Sequence, residues 1–169
     1  EDISAGGTGT AGDSLAGCGI DTAEMLMREM GAFHATWWEN PRLDTWDWIT
    51  PSEDNPAILD RIRDCWPKFK DSFSDVLTPN SIDAGDRGIE ELTWIWQTSM
   101  SSQGTLVHGD LQLDNVFLGK TGSSFVLLDW QLVRRAWGAG DVAWFLARSL
   151  PIEQRRTTDT QLNNTYYES

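Results

Sequence analysis

The sequence predicts an α+β protein that is mostly helical and carries one small β-hairpin. Apolar residues recur every three to four positions in several segments between residues 21 and 99, which is the spacing of amphipathic helices. Three short apolar runs follow between residues 105 and 128, and the last two flank a polar stretch at residues 119–124. A turn-rich stretch between two strand-like runs is typical of a β-hairpin.

Residues 1–20 are expected to form a linker. The stretch is rich in Gly, Ser, Thr and Ala, and its run GGTGTAG could be mistaken for a phosphate-binding loop. No Lys-Ser or Lys-Thr pair follows this run, as a P-loop requires, and no strand with a nucleotide-pairing Lys follows it either. The composition therefore favours a linker.

Residues 21–38 give the clearest helix signal. Asp21 is a candidate cap, with Glu24 three positions later in the pattern of a capping box. His34 lies beside the apolar face, and a single histidine there is predicted to be a packed core residue rather than a metal ligand. The apolar face consists of Ala23, Leu26, Met27, Met30, Phe33 and Trp37.

The segment after this helix is broken by prolines. Residues 40–54 are predicted to be a loop. Pro56 is expected to begin a helix after a cap at Asn55, because proline is favoured in the first helical position. Pro67 should kink or restart that helix, since its ring conflicts with the preceding turn.

Five further segments lie before and after the predicted hairpin. Residues 78–85 are predicted to be a connector, and the helix after it should end near residue 100. Residues 101–104 are predicted to turn into the first strand. Residues 138–150 have the apolar spacing of a helix. Residues 152–169 are polar and weakly periodic, and could begin another helix.

The predicted hairpin carries residues that suit phosphoryl transfer. Asn115 stands at one base of the hairpin and Asp129 at the other, so antiparallel pairing should bring them side by side. Asp110 lies on the loop that leads into the first strand of the hairpin. Carboxylate and amide oxygens are suitable ligands for Mg²⁺. A further carboxylate nearby can take a proton from an attacking hydroxyl.

The same residues match the pattern of a kinase catalytic loop. In that pattern H-x-D-x-x-x-x-N precedes a strand pair and a metal-binding Asp, and here Gly109 and Trp130 replace the usual Arg and Phe. The wording HGDLQLDNVFL, VLLDWQ and GAGDVAWFL resembles the aminoglycoside phosphotransferase and choline-kinase-like superfamily, especially its ecdysteroid-kinase-like branch. The resemblance is dense over residues 106–150 and looser over residues 12–48.

This resemblance implies a role for each motif residue. Asp110 would be the base that orients or deprotonates the substrate hydroxyl. Asn115 and Asp129 would hold Mg²⁺ against the phosphates of ATP. His108 would fix the loop, and Asp141 would lock it by accepting hydrogen bonds from its backbone. A plain helix N-cap is the alternative for Asp141, and Gln112 receives no role.

The resemblance also implies a fold and a reaction. Residues 21–169 would be a partial C-terminal lobe of a protein-kinase-like fold, with residues 105–150 as its catalytic segment. The chain lacks an initiator Met and the nucleotide-binding lobe that such a fold needs, so we expect an inactive fragment of a longer protein. The parent protein would transfer a phosphoryl group from Mg·ATP to a small-molecule alcohol, such as an aminoglycoside, choline or an ecdysteroid-like sterol.

Two other functions remain open from the sequence. One is a catalytically dead kinase-like binding module, in which the loop serves as a scaffold. The other is a metal-dependent hydrolase that uses Asp110, Asp129 and Asp141 as a carboxylate cluster. The hydrolase lacks histidine ligands, since the chain contains only two histidines, and it gives Asn115 no purpose.

Composition narrows the partners. The 169 residues carry a net charge of −13, which disfavours binding to nucleic acid or to anionic membranes and would suit a cationic substrate. No apolar run reaches membrane-spanning length, and no secretion signal is recognisable. The two cysteines do not form a Cys-x-x-Cys motif, so reduced thiols and a cytoplasmic location are expected. The oligomeric state is left open.

Overall fold

The computed structural model of this chain describes residues 9–49, 56–99, 104–121 and 123–169. These residues form two compact units. The first unit combines Glu1–Pro51 with Ser102–Ser169, and the second is Ser52–Ser101. The predicted cap at Asn55 and most of the predicted turn at residues 101–104 lie outside the described residues.

The described residues contain more helix than strand. The helices are α1 (Ile20–Trp37), α2 (Pro56–Ser72), α3 (Pro79–Glu90), α4 (Leu92–Ser99), α5 (Gly138–Ser149) and α6 (Ile152–Tyr167). The strands are β1 (Gly9–Ala11), β2 (Thr105–Val107), β3 (Val116–Gly119), β4 (Phe125–Leu127) and β5 (Arg134–Ala136). The predicted α+β class with a small hairpin, formed by β3 and β4, is therefore confirmed.

The strands form two small antiparallel sheets in the first unit. One sheet has the order β1-β3-β4, and the other pairs β2 with β5. In the hairpin, Val116 lies opposite Leu127 and Leu118 lies opposite Phe125. This register fixes where the chain leaves each strand, and so where the predicted site residues lie.

Strand β1 corrects the expected linker at residues 1–20. Gly9–Ala11 pairs with β3 along its edge, and the Gly12 N–H donates to the Val116 carbonyl at 2.8 Å. Three small residues carry no apolar alternation, so only tertiary pairing could reveal the strand. Ser14 also connects this segment to the catalytic segment, because its hydroxyl and its backbone N–H form hydrogen bonds with Asp114. These hydrogen bonds lower the pKa of the Asp114 carboxyl.

The core of the first unit lies between α1, α5 and α6. Its fully or nearly buried members are Ala23, Leu26, Met27, Met30, Leu111, Leu113, Val116, Val142, Phe145, Leu146, Leu150 and Leu162. Helix α1 contributes the apolar face that its periodicity predicted. Gly31 lets α1 approach α6 closely, because a Cβ at this position would collide with the Tyr166 carbonyl.

The start of α1 differs from its prediction. The helix begins at Ile20 after Gly19, whose position makes no side-chain cap hydrogen bond. Asp21 therefore lies inside the first turn and does not cap the helix. A negative side chain there still interacts favourably with the helix dipole. The capping-box pattern therefore located the start of the helix but named the wrong residue as its cap.

One prediction in the second unit was wrong. Residues 79–85 belong to α3, which Thr78 caps by accepting the Ser81 N–H at 3.1 Å, so this stretch is not a connector. Pro67 lies within α2, which runs without a break from Pro56 to Ser72, so the helix does not restart there, and the kink stays a prediction. Helix α3 has no buried residue. The predicted helix start at Pro56 is confirmed.

The last two helices fill the end of the chain. Helix α5 matches the prediction for residues 138–150 closely. Helix α6 covers nearly all of residues 152–169, although only Leu162 is buried in it. Within the described residues, no helix has both the length and the apolar character to cross a membrane.

Candidate active site

The loop after β2 holds the first predicted site residue, His108, in a fully buried position. Its Nε2 lies 2.7 Å from the Leu128 carbonyl, and its Nδ1 lies 3.3 Å from the Asp110 backbone nitrogen. These two contacts suit a neutral ring that donates from Nε2 and accepts at Nδ1. The imidazole also packs on Trp130, with ring centroids 4.7 Å apart. His108 thus connects the loop to the residue that follows the second strand of the hairpin, β4.

Asp141 holds the backbone of the same loop. One carboxylate oxygen accepts the His108 N–H at 2.7 Å, and the other accepts the Gly109 N–H at 2.9 Å. The side chain is only 3% exposed, so these bonds satisfy both oxygens in a site that excludes water. Helix α5 begins at Gly138, with Trp137 as its N-cap, so the N-cap alternative for Asp141 does not apply.

His34 completes a polar chain behind Asp141. Its Nε2 is 3.4 Å from an Asp141 oxygen, and its Nδ1 is 2.9 Å from the Tyr166 hydroxyl. Burial, together with the charges of Tyr167 and Asp141, raises the pKa of Tyr166 to about 12. His34 is buried, as predicted for a packed residue, but its contact with the loop-holding carboxylate was not foreseen.

Gly109 makes the turn of the loop possible. Its φ of +85° lies in the region that side chains disfavour. A Cβ there would also collide with the Leu132 carbonyl and approach Arg134. The glycine that replaces the usual arginine of the kinase pattern is thus required by both backbone conformation and space.

Asp110 and Asn115 are brought together by the five-residue spacing. The Asn115 Nδ2 donates to the Asp110 carbonyl at 2.9 Å and to an Asp110 carboxylate oxygen, Oδ2, at 3.1 Å. Asn115 is 9% exposed, and Asp110 is half-buried at the mouth of the loop. The amide thereby closes the loop and holds both the carbonyl and the Oδ2 atom of Asp110 in place.

Two residues without an assigned role also bind Asp110. The Trp144 indole N–H donates to Oδ1 at 2.9 Å, and the Gln112 Nε2 donates to Oδ2 at 3.2 Å. No role was predicted from the sequence for Trp144, which lies in α5. Its place three residues after Asp141, hence on the same side of the helix, was the signal that could have identified it.

Asp129 lies one residue beyond the position expected from the hairpin. The Leu128 N–H donates to the Asn115 carbonyl at 2.8 Å, so Leu128 faces Asn115 and Asp129 follows it. Asp129 is exposed and adopts a left-handed conformation with φ 58° and ψ 63°. This conformation turns the chain at the residue that the sequence assigned to the metal, a common property of functional positions.

The donor set of Asn115 and Asp129 fits Mg²⁺. Both side-chain hydrogen bonds of Asn115 to described residues use its nitrogen, which leaves the amide oxygen for a cation. One Asp129 oxygen accepts from Gln131 at 3.2 Å, and the other makes no hydrogen bond to a described residue. Mg²⁺ typically takes one or two protein oxygens and keeps several waters.

A carboxylate cluster for a hydrolase is not observed. Among the residues that the structure describes, no group of three or more His, Cys, Asp or Glu side chains is arranged to hold a metal ion. Asp141 uses both oxygens on the loop backbone, so it is not a third ligand beside Asp110 and Asp129. The geometry therefore counts against the hydrolase alternative.

The fold and the site together define a kinase-like phosphotransferase lobe. The sequence profile of the phosphotransferase enzyme family matches residues 21–168, and the chain belongs to this family. The predicted resemblance to the aminoglycoside phosphotransferase superfamily is confirmed at this level. Its ecdysteroid-kinase-like branch stays a prediction.

A solved structure supports the same fold. A macrolide 2'-phosphotransferase type I matches with a TM-score of 0.50 and 19% sequence identity, over 88% of this chain and 44% of that protein. Similarity at this identity shows the fold alone, and the chain spans less than half the length of that relative. Among curated proteins, none matches the chain significantly in sequence.

Proposed function

We propose that this chain is the partial C-terminal lobe of a phosphotransferase that moves the γ-phosphoryl group of ATP to a hydroxyl of a small molecule. The observation that carries the proposal is the contact between Asn115 and Asp110 on a loop whose backbone is held by Asp141. This contact places a candidate base and a candidate metal ligand next to each other. Family membership supports the same reaction class.

Asp110 is the proposed base. Its carboxylate is half-buried and lies beyond the buried β2 strand, where an acceptor hydroxyl can reach it from the open side. Asp110 would orient the attacking hydroxyl and take its proton, while the γ-phosphoryl group passes to the hydroxyl oxygen and its bond to the departing ADP breaks. The fixed loop backbone keeps the base in place, so that little reorganisation is needed at the moment of reaction.

Asn115 and Asp129 are the proposed Mg²⁺ ligands, through the amide oxygen and the exposed carboxylate. When bound, the cation would neutralise charge on the ATP phosphates. Asn115 would then have two functions, because its nitrogen holds Asp110 while its oxygen would bind the metal. This pairing would couple the base and the metal through one side chain.

The remainder of the ATP site is proposed to lie outside these 169 residues. A kinase-like fold covers ATP with a glycine-rich loop and a strand lysine, and neither is found in this sequence. The coverage of 44% of the macrolide phosphotransferase structure fits this proposal. We therefore expect little or no transfer by the 169 residues alone.

The acceptor is proposed to be a small alcohol. Aminoglycosides, choline and ecdysteroid-like sterols follow from the sequence resemblance, and a macrolide is added because the structural relative bears that name. A net charge of −13 favours the cationic members of this group. Kanamycin, choline, 20-hydroxyecdysone and erythromycin form a suitable test panel.

The test is phosphoryl transfer by the full-length protein that carries these residues. Each panel member is incubated with Mg·ATP, and products are measured by mass spectrometry as the addition of one phosphoryl group. The proposal predicts one phosphorylated acceptor and no transfer when EDTA is present. Phosphate release without an acceptor would favour a hydrolase, and ATP binding without either product would favour the catalytically dead module.

A further inference from the structure

The side chains of Asp110, Trp144, Arg148 and Gln112 form a closed ring of contacts, here called the carboxylate ring. Trp144 donates to Oδ1 of Asp110 at 2.9 Å, and Gln112 donates to Oδ2 at 3.2 Å. Arg148 joins these two, because its Nε donates to the Gln112 side-chain oxygen at 2.6 Å and its guanidinium lies 5.2 Å from the Trp144 ring centroid. Both ends of the carboxylate are thereby held by one connected structure.

The ring uses a single helix face. Trp144 and Arg148 are four residues apart on α5, so their side chains are neighbours. Asp141 lies on the preceding turn of the same helix and binds the loop backbone. Helix α5 therefore holds the backbone of the loop with one residue and the carboxylate of Asp110 with another.

The hydrogen bonds leave one acceptor position free. A carboxylate offers about four lone-pair sites, two on each oxygen. Oδ2 accepts from both Asn115 and Gln112, whereas Oδ1 accepts from Trp144 alone. Among contacts within the described residues, the unused site is on Oδ1, next to the indole of Trp144.

We propose that Trp144 is a positioning residue that directs the acceptor hydroxyl to Oδ1 of Asp110. The proposal rests on the proposed function, because it assumes that Asp110 is the base. The indole N–H fixes the carboxylate in the plane that leaves this one site open, while Arg148 and Gln112 keep the indole and the far oxygen in place. Base alignment, rather than ATP binding, is what Trp144 controls.

The ring is not needed to build the fold. Trp144 is 45% exposed, and Arg148 and Asp110 are not buried either, so the ring lies outside the apolar core. Replacing Trp144 by Phe removes the indole N–H and keeps an aromatic surface for Arg148. Trp137 is a matched control, because it also lies at α5, is 42% exposed and has no role in the ring.

The first test is a double-mutant cycle in the full-length protein, with Mg·ATP and whichever of kanamycin, choline, 20-hydroxyecdysone or erythromycin it phosphorylates. Trp144→Phe should lower kcat about tenfold, the effect of losing one hydrogen bond to a charged group. The KM for ATP should stay within about twofold, because nucleotide contacts are unchanged. Trp137→Phe should leave both parameters within about twofold.

The cycle separates this inference from the proposed function. In an Asp110→Asn background, Trp144→Phe should change the remaining rate by less than about twofold, because the group it positions is gone. A tenfold loss in both backgrounds would overturn the inference, as would an unchanged kcat in Trp144→Phe. Near-normal turnover in Asp110→Asn would instead overturn the proposed function.

The second test needs no activity. In a ¹⁵N-correlation spectrum of the full-length protein, Trp144→Phe should remove, and thereby assign, one indole N–H resonance, and Trp137→Phe assigns the control resonance in the same way. Asp110→Ala should move the Trp144 resonance and leave the Trp137 resonance in place. An unmoved Trp144 resonance would show that the indole does not bind Asp110, and would overturn the inference whatever the acceptor.

Discussion

Asn115 donates its side-chain amide to both the backbone carbonyl and a carboxylate oxygen of Asp110, at 2.9 and 3.1 Å. Two bonds from one amide group close the loop between these residues and limit the rotation of the Asp110 side chain. The orientation of the amide follows from its partners, since both are acceptors. The amide oxygen makes no side-chain hydrogen bond to a described residue, and it is the atom that we propose as a metal ligand.

The left-handed backbone at Asp129 predicts a separation of stability from activity. Asp129→Gly removes the proposed metal ligand but adopts φ 58° without steric cost, whereas Asp129→Ala keeps the cost. We expect Asp129→Gly to be at least as stable as the wild type, and Asp129→Ala to be less stable than Asp129→Gly by about 1 kcal/mol. Urea denaturation measures both.

Both Asp129 variants should lose Mg²⁺-dependent phosphoryl transfer, because the ligand is absent in each. Transfer is measured in the full-length protein as a function of Mg²⁺ concentration. An Asp129→Gly protein with a normal Mg²⁺ requirement would contradict the ligand assignment, and one that is clearly less stable than Asp129→Ala would contradict the conformational argument.

The positive φ at Gly109 predicts that any side chain at this position will destabilise the protein. Gly109→Ala should destabilise the protein by more than about 1 kcal/mol, because the positive φ and the nearby Leu132 carbonyl both oppose a Cβ. Gly140→Ala is the control, since a Cβ there would have open space in the first turn of α5. Thermal and urea unfolding should find Gly140→Ala at least as stable as the wild type. Equal effects of the two changes would refute the explanation.

Loss of the buried Asp141 carboxylate should lower the stability of the protein more than loss of an exposed carboxylate. Asp141→Asn places an N–H₂ group against buried N–H donors, and should cost about 1–3 kcal/mol of unfolding free energy. Glu153→Gln removes an exposed carboxylate that pairs with Arg156 and should change stability by less than about 0.5 kcal/mol. If urea unfolding shows similar small losses for both, the loop is not held by Asp141.

The sequence predicted the parts of this site that depend on spacing and strand order. Five residues separate Asp110 from Asn115, and antiparallel pairing of β3 with β4 carries Asp129 to within one residue of its partner position. The left-handed turn at Asp129 was not predictable, because aspartate has no pattern that requires it. Apolar periodicity also located α1 and α5, because the buried residues of each helix recur at regular spacing along the sequence.

Contacts between distant segments could not be predicted. His34 and Asp141 are 107 positions apart and meet only because α1 packs beside α5 in the folded unit. The bond from the Trp144 indole to Asp110 also joins residues 34 positions apart, and only the spacing of Trp144 from Asp141 pointed to it. Strand β1 has no sequence signal of its own and exists through its partner β3. Such contacts arise from tertiary packing, which the pattern of a single sequence does not reveal.

The buried hydroxyl of Tyr166 predicts a loss of stability at high pH. Its pKa is about 12 in the folded protein and about 10 when exposed in the unfolded chain, so between these values the unfolded state binds fewer protons. The free energy of unfolding should therefore fall as pH rises from 10 to 12. Tyr166→Phe should reduce this slope in denaturation curves taken at each pH.

This measurement needs Cys18→Ala in both proteins. Burial raises the pKa of the Cys18 thiol to about 11, so its titration would add a second decrease in an overlapping range. With Cys18 removed, a Tyr166→Phe protein that keeps the full slope would show that the phenol is not the group responsible.

The most direct test of the account is the turnover of Asp110→Asn. With Mg·ATP and a phosphorylated acceptor from the panel, the full-length Asp110→Asn protein should transfer phosphate ~10²–10⁴-fold more slowly than the wild type. Asp114→Asn, on the same loop but bound to Ser14, should stay within about twofold. Near-normal transfer by Asp110→Asn, with intact folding, would contradict the central claim that this carboxylate receives the acceptor proton.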